Sequence, residues 1–185
     1  MKAKKPKGFK NFLDGMKELN NDPVCNNVFW AGSIRSFGSA IVTAFIPVYF
    51  QQAFPECKSQ FALVSALSLT VLGFGSSLMG GILSDKFEKK SYMSKANIVI
   101  AGNVLALPMI AMACLSGNFW VAMTGFALKV MVSGSYLAPA ITMMQNSSGT
   151  ANAGMVVSAY TFYSHIAQTI APALFGALAK HYGAF

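Results

Sequence analysis

The chain is 185 residues long, 54% hydrophobic and only 11% charged, with a formal net charge of +8 and a mean hydropathy of +0.49. Soluble domains carry about 25% charged residues, so too few polar side chains remain to cover a water-facing surface, and the 15 phenylalanines exclude a disordered chain. Cysteines as far apart as Cys25, Cys57 and Cys114 exclude a disulfide scaffold or a clustered metal site. An all-α integral membrane protein is left, since no period-two alternation marks a membrane β-barrel.

Residues 1–26 read as a basic, amphipathic, cytoplasmic segment. Lys2, Lys4, Lys5, Lys7 and Lys10 lead it, and Phe9, Phe12, Leu13, Met16 and Leu19 recur at helical spacing. That pattern predicts a helix lying at the membrane interface, with a solvated linker as the alternative. Asp14 and Glu18 interrupt the apolar residues, so the head is not a signal peptide.

Residues 27–185 read as a transmembrane bundle. About 20 mostly apolar residues cross the hydrocarbon core, and five such stretches occur, at about 28–50, 61–83, 96–115, 119–144 and 154–178. Polar breaks at 51–60, 85–95, 116–118 and 145–152 separate them. Lys86, Lys89, Lys90 and Lys95 fill the second break, whereas the first has only Lys58 and the third has none. The positive-inside rule then places the N-terminus in the cytoplasm and, after five crossings, the C-terminus on the opposite side. Asn146-Ser147-Ser148 matches a glycosylation acceptor, but this topology makes it cytoplasmic, so no glycan is expected.

All 6 acidic residues fall outside the spans, while Arg35, Lys129 and His165 fall inside them. An ionisable group at that depth costs at least about 2.5–3.5 kcal/mol and faces a bundle interior or a wet cavity. With no carboxylate at the same depth, the partner is an anionic ligand or an acidic group on another chain. Helical spacing gathers polar neighbours around each: Arg35, Ser39 and Thr43; Lys129, Ser133 and Tyr136; Thr161, His165 and Gln168. Arg35, Ser39, Lys129, Tyr136, His165 and Gln168 are therefore the candidate solute-binding residues. Alternatives stand beside them. Arg35 can snorkel to the cytoplasmic side, and His165 can bond a helix carbonyl or carry protons. Pro47, Pro108, Pro139 and Pro172 interrupt spans and permit bends. Ser76 with Gly80, and Ser77 with Gly81, form small-xxx-small pairs suited to close helix crossing.

The second break opens Gly81-Ile82-Leu83-Ser84-Asp85-Lys86-Phe87-Glu88-Lys89-Lys90. It resembles the loop signature of the major facilitator superfamily, Gly-x-x-x-Asp-Arg/Lys-x-Gly-Arg/Lys-Arg/Lys. Gly81, Asp85, Lys86, Lys89 and Lys90 match, and Glu88 stands where the second Gly is usual. The resemblance covers nearly the whole chain. It implies a half bundle of such a transporter, with the signature between the second and third helices and biasing one of two conformations. The basic head looks like the linker between halves, which points to the C-terminal half. The segment Phe45-Ile46-Pro47-Val48-Tyr49-Phe50 looks like spinster-type and organic-anion members. In that family the helices matching the first and fourth spans line a central cavity, helped by the second and fifth.

A family half has six helices and this chain five, so it reads as a fragment, a truncated product or a half-size relic of such a transporter. The expected function is movement of a small anionic organic solute by alternating access. The alternative is a transport-inactive structural subunit of a larger membrane complex. The expected partners are the bilayer, the solute, and an N-terminal half or other membrane subunits. No nucleophile elbow, phosphate loop, dinucleotide motif or zinc spacing occurs, so no enzyme activity, cofactor, metal or nucleic-acid partner is expected.

Overall fold

Helices account for every regular element in the computed structural model, which describes residues 9–88, 93–149 and 152–182. They are α1 (Phe9–Asn21), α2 (Pro23–Ala53), α3 (Lys58–Leu67), α4 (Gly73–Glu88), α5 (Ser94–Leu115), α6 (Phe119–Ser133), α7 (Leu137–Ser148) and α8 (Ala153–His181). Short turns of other helix type lie at Pro55–Cys57, Ser68–Leu72 and Gly134–Tyr136. Among the described residues four stretches are long and apolar enough to cross a membrane: Pro23–Ala53, Pro55–Ser84, Ser94–Leu115 and Phe119–Ser148. The fifth expected span, 154–178, falls on the 29-residue α8, which is not among these four. Tyr160, Thr161, Tyr163, Ser164, His165, Gln168 and Thr169 make its centre more polar than the other four.

The polar breaks are shorter than the sequence pattern suggests, because capping chemistry extends the helices into them. Asp22 accepts from the Val24 and Cys25 amides at 2.8 and 3.0 Å, and Pro23 occupies the first helical position, where its missing N–H costs nothing. Helix α2 therefore starts within the head segment. Residues 85–88 and 145–148 are helical rather than loop. Gly149 closes α7 with a φ of 82°, the left-handed conformation that glycine adopts at helix ends. Asn118 caps α6 by accepting from the Trp120 amide at 2.9 Å.

The chain forms two compact units, Met1–Phe45 with Ile141–Phe185, and Ile46–Ala140. In the first, α1 is amphipathic as expected, but its apolar stripe covers protein. Met16 and Leu19 are buried, the Phe12 and Phe162 rings meet edge to face at 6.0 Å, and Asn20 Nδ2 donates to the Tyr163 hydroxyl at 3.3 Å. A methyl group on Gly15 would lie 2.5 Å from Met155 Cε, so the two helices approach closely. Ser147 Oγ donates to Asp22 Oδ2 at 2.6 Å, tying the end of α7 to the start of α2. That bond and the two amide bonds hold the Asp22 carboxyl below its ordinary value.

In the second unit, Phe50 is fully buried against Phe61, stacked at 4.7 Å, with Phe54, Phe119 and Phe126 around it. The Tyr49 hydroxyl donates to the Cys114 carbonyl at 2.6 Å, satisfying an orphan acceptor at the α5 terminus. The small-xxx-small pairs do what their spacing suggests. Ser76 packs on Gly134, and a methyl group on Gly80 would collide with the Ser135 backbone. Outward-facing Leu63, Leu67, Val71, Phe74, Ile100, Val104, Leu107 and Leu115 are all more than half exposed, an apolar surface that suits lipid and not water.

On α4, Gly80 and Gly75 make a matched pair, since nothing lies within 4 Å of a methyl group at Gly75. Gly80→Ala is expected to lose about 1–3 kcal/mol from forced separation of the backbones. Gly75→Ala should be neutral or gain up to about 1 kcal/mol from helix propensity. Unfolding of both variants in detergent checks the contrast, and equal stabilities would contradict the close crossing.

Candidate functional site

In the first unit α2 and α8 meet through side chains at a few points. Gly32 receives the Tyr160 ring, and a methyl group there would lie 2.6 Å from the ring carbon Cε2. Phe29 stacks on Tyr163 at 5.1 Å. Further along, Phe45 meets Phe175 at 4.7 Å. Between these closures the helices part around an open groove of ≈ 330 Å³ lined by Ser39, Ala40, Thr43, Ala44, Gln168 and Pro172. Small side chains at 40 and 44 and the proline at 172 make room for it.

The structure thus brings together two predicted residues, Ser39 and Gln168, and adds Thr43. Thr43 Oγ1 donates to the Ser39 carbonyl at 2.8 Å. Arg35 is half-buried one turn before Ser39 on α2. His165 is exposed on α8, one turn before Thr169, whose hydroxyl donates to the His165 carbonyl at 2.8 Å. Thr161, His165 and Gln168 share the exposed side of α8, while Val156, Ala159, Tyr160, Ser164 and Ala171 form its buried side. Phe162, Ile166 and Ile170 are exposed between and beside them.

On the second unit Lys129 is half-buried on α6, which ends at Ser133, and the tight turn Gly134–Tyr136 follows before α7. Three residues per turn replace 3.6 there, which rotates Tyr136 by about 60° relative to Lys129 and Ser133. Gly134 and the fully buried Pro139 are the signals for that break. The second span is interrupted too, by a π turn at Ser68–Leu72 where Thr70 Oγ1 donates to the Ala66 carbonyl at 2.9 Å. A side chain bonding into the helix ladder is a known cause of such interruptions.

Of the loop signature, Gly81, Asp85 and Lys86 belong to α4, whereas Lys89 and Lys90 lie outside the described residues. Lys95, counted among the loop lysines, is buried in the first turn of α5. Among the described residues no group of three His, Cys, Asp or Glu side chains is placed to hold a metal ion.

The Major Facilitator Superfamily model matches residues 3–184. The chain belongs to the major facilitator superfamily. No curated protein and no solved structure matches it. Members of the superfamily are membrane transporters rather than enzymes, so the four apolar spans and the polar groove belong to a transporter fold. The match is to the superfamily as a whole and carries no subtype.

The exposed and buried sides of α8 separate residues available to a solute from those that hold the helix. His165→Ala and Gln168→Ala are each expected to leave stability unchanged to within about 0.5 kcal/mol. Ser164→Leu, on the buried side, should cost about 1–3 kcal/mol. Thermal unfolding in detergent checks this. A loss at His165→Ala as large as at Ser164→Leu would make His165 a packing residue.

Proposed function

We propose that this chain forms part of a secondary transporter that moves a small organic anion by alternating access. The observation that carries the reading is charge asymmetry. Arg35 and Lys129 lie well inside apolar spans, Arg35 one turn before a hydroxyl- and amide-lined groove, whereas the acidic residues lie at or beyond span ends, Glu56 being the second residue of Pro55–Ser84. A cation in hydrocarbon is tolerated where it meets a wet cavity or an anion. In the first unit Arg35 supplies the attraction, and Ser39, Gln168 and His165 orient the solute; in the second unit Lys129 and Tyr136 are the corresponding cation and hydroxyl. Interrupted helices at Ser68–Leu72 and Gly134–Tyr136 suit a bundle that changes shape. The α4 end, from Gly81 through Lys86, biases one state. The lysine asymmetry of the breaks orients the N-terminus to the cytoplasm.

The exposed Thr161–His165–Gln168 side of α8 favours one further reading, a surface covered by another half or subunit. Co-purification in a fixed ratio with another membrane chain, without uptake, would select it.

The test is uptake of radiolabelled lactate, succinate and benzoate into proteoliposomes. At least one is expected to accumulate, and Arg35→Ala or Lys129→Ala should cut its uptake at least about tenfold with membrane insertion unchanged. Uptake by Lys129→Ala equal to that of the unmodified chain would sink the anion assignment.

A further inference from the structure

The groove between α2 and α8 has a property that its side chains alone do not reveal. Pro47 follows Thr43 by four residues, and Pro172 follows Gln168 by four. In an α-helix the amide four residues on bonds each carbonyl, and proline has no amide hydrogen. The two prolines therefore deprive the Thr43 and Gln168 carbonyls of their regular donors. Thr43 and Gln168 both line the groove, one on each helix.

The Thr43 hydroxyl proton is committed to the Ser39 carbonyl, so Thr43 Oγ1 offers lone pairs. The Ser39 hydroxyl and the Gln168 side-chain amide each both donate and accept, so the two freed carbonyls and Thr43 Oγ1 are what favour a donor ligand. One turn earlier on each helix, Ser36 is 2% and Ser164 6% exposed, and neither hydroxyl has a hydrogen-bond partner among the described residues. Thr43 and Gln168 are exposed at the groove, and a ligand group that donates hydrogen bonds would meet carbonyls that have lost their helix donors.

We infer that the α2–α8 groove binds an O–H or N–H donor of the solute, so that the transported anions are hydroxy- or amino-substituted carboxylates. This rests on the organic-anion reading above, with Arg35, one turn from Ser39, attracting the carboxylate. A site that hydrogen-bonds a substituent rejects the analogue lacking it far more strongly than an apolar pocket rejects a missing methylene. The groove thereby sets selectivity against plain carboxylates.

The test is binding to the purified full chain, by thermal shift and by tryptophan fluorescence, of two matched sets. One is propanoate, 2-hydroxypropanoate and alanine; the other is succinate, malate and aspartate. The substituted members are expected to bind at least about tenfold more tightly than their parents; whether the hydroxy or the amino member leads identifies the donor. Pro172→Ala restores an amide to the Gln168 carbonyl, and Thr43→Val removes the hydroxyl at similar size. Each should shrink the ratio of substituted-acid to parent-acid affinity severalfold. Parents and substituted acids binding equally, or an undiminished preference in both variants, would overturn the inference and leave the anion reading standing. Failure of every acid to bind would overturn both together.

Discussion

A carbonyl inside hydrocarbon has no water to turn to, so one that loses its helix partner needs another donor or a wet surface. Much of this structure follows from where prolines remove such partners. Pro139 lies just past the tight turn Gly134–Tyr136, and at that turn the Gly80 backbone comes so close to Ser135 that a side chain would not fit. A glycine Cα–H can face a carbonyl at such a crossing, a weak but recurrent helix–helix contact. Pro47 and Pro172 deprive Thr43 and Gln168, and these two residues border open space. For Val104, deprived by Pro108 on α5, nothing in the structure identifies a compensating donor.

The same constraint connects packing to function. In the second unit, small residues and a tight turn let α4 pack directly on Gly134 and Ser135. In the first, α2 and α8 touch through Gly32 and Tyr160 and through Phe45 and Phe175, and part between them. The parting is polar, begins one turn after Arg35, and sits on a helix whose exposed side carries His165 and Gln168. A transporter needs a polar surface of this kind inside an apolar body. Helices that are already interrupted can bend without giving up a full ladder of bonds.

Hydrophobic length made the helices legible in the sequence, and the 3.6-residue period made the α8 face and the amphipathic α1 legible. Ser76, Ser77 and Gly80 announced a close crossing through spacing alone. Long-range partnerships were beyond such local signals. The Asp22–Ser147 bond joins residues 125 positions apart, and the burial of the α1 stripe depends on where α8 lies. The tight turn at Gly134–Tyr136 lies beyond period counting, which assumes an unbroken helix. The groove could have been suspected, since proline four residues after a polar residue on two neighbouring helices is a readable pattern. Knowing that the helices are neighbours required the structure.

The central claim is that the α8 face of Thr161, His165 and Gln168 meets water within an otherwise lipid-facing chain. The most direct measurement places a nitroxide spin label at each of these positions, and at Leu69 and Leu105 as lipid-facing references, in bilayer nanodiscs. Collision with a water-soluble nickel chelate is compared with collision with oxygen, which concentrates in hydrocarbon. The account predicts that the nickel chelate dominates at 161, 165 and 168 and oxygen dominates at 69 and 105. Oxygen dominance at all five positions would mean that the polar face lies against lipid, and the transporter site would have to be sought elsewhere.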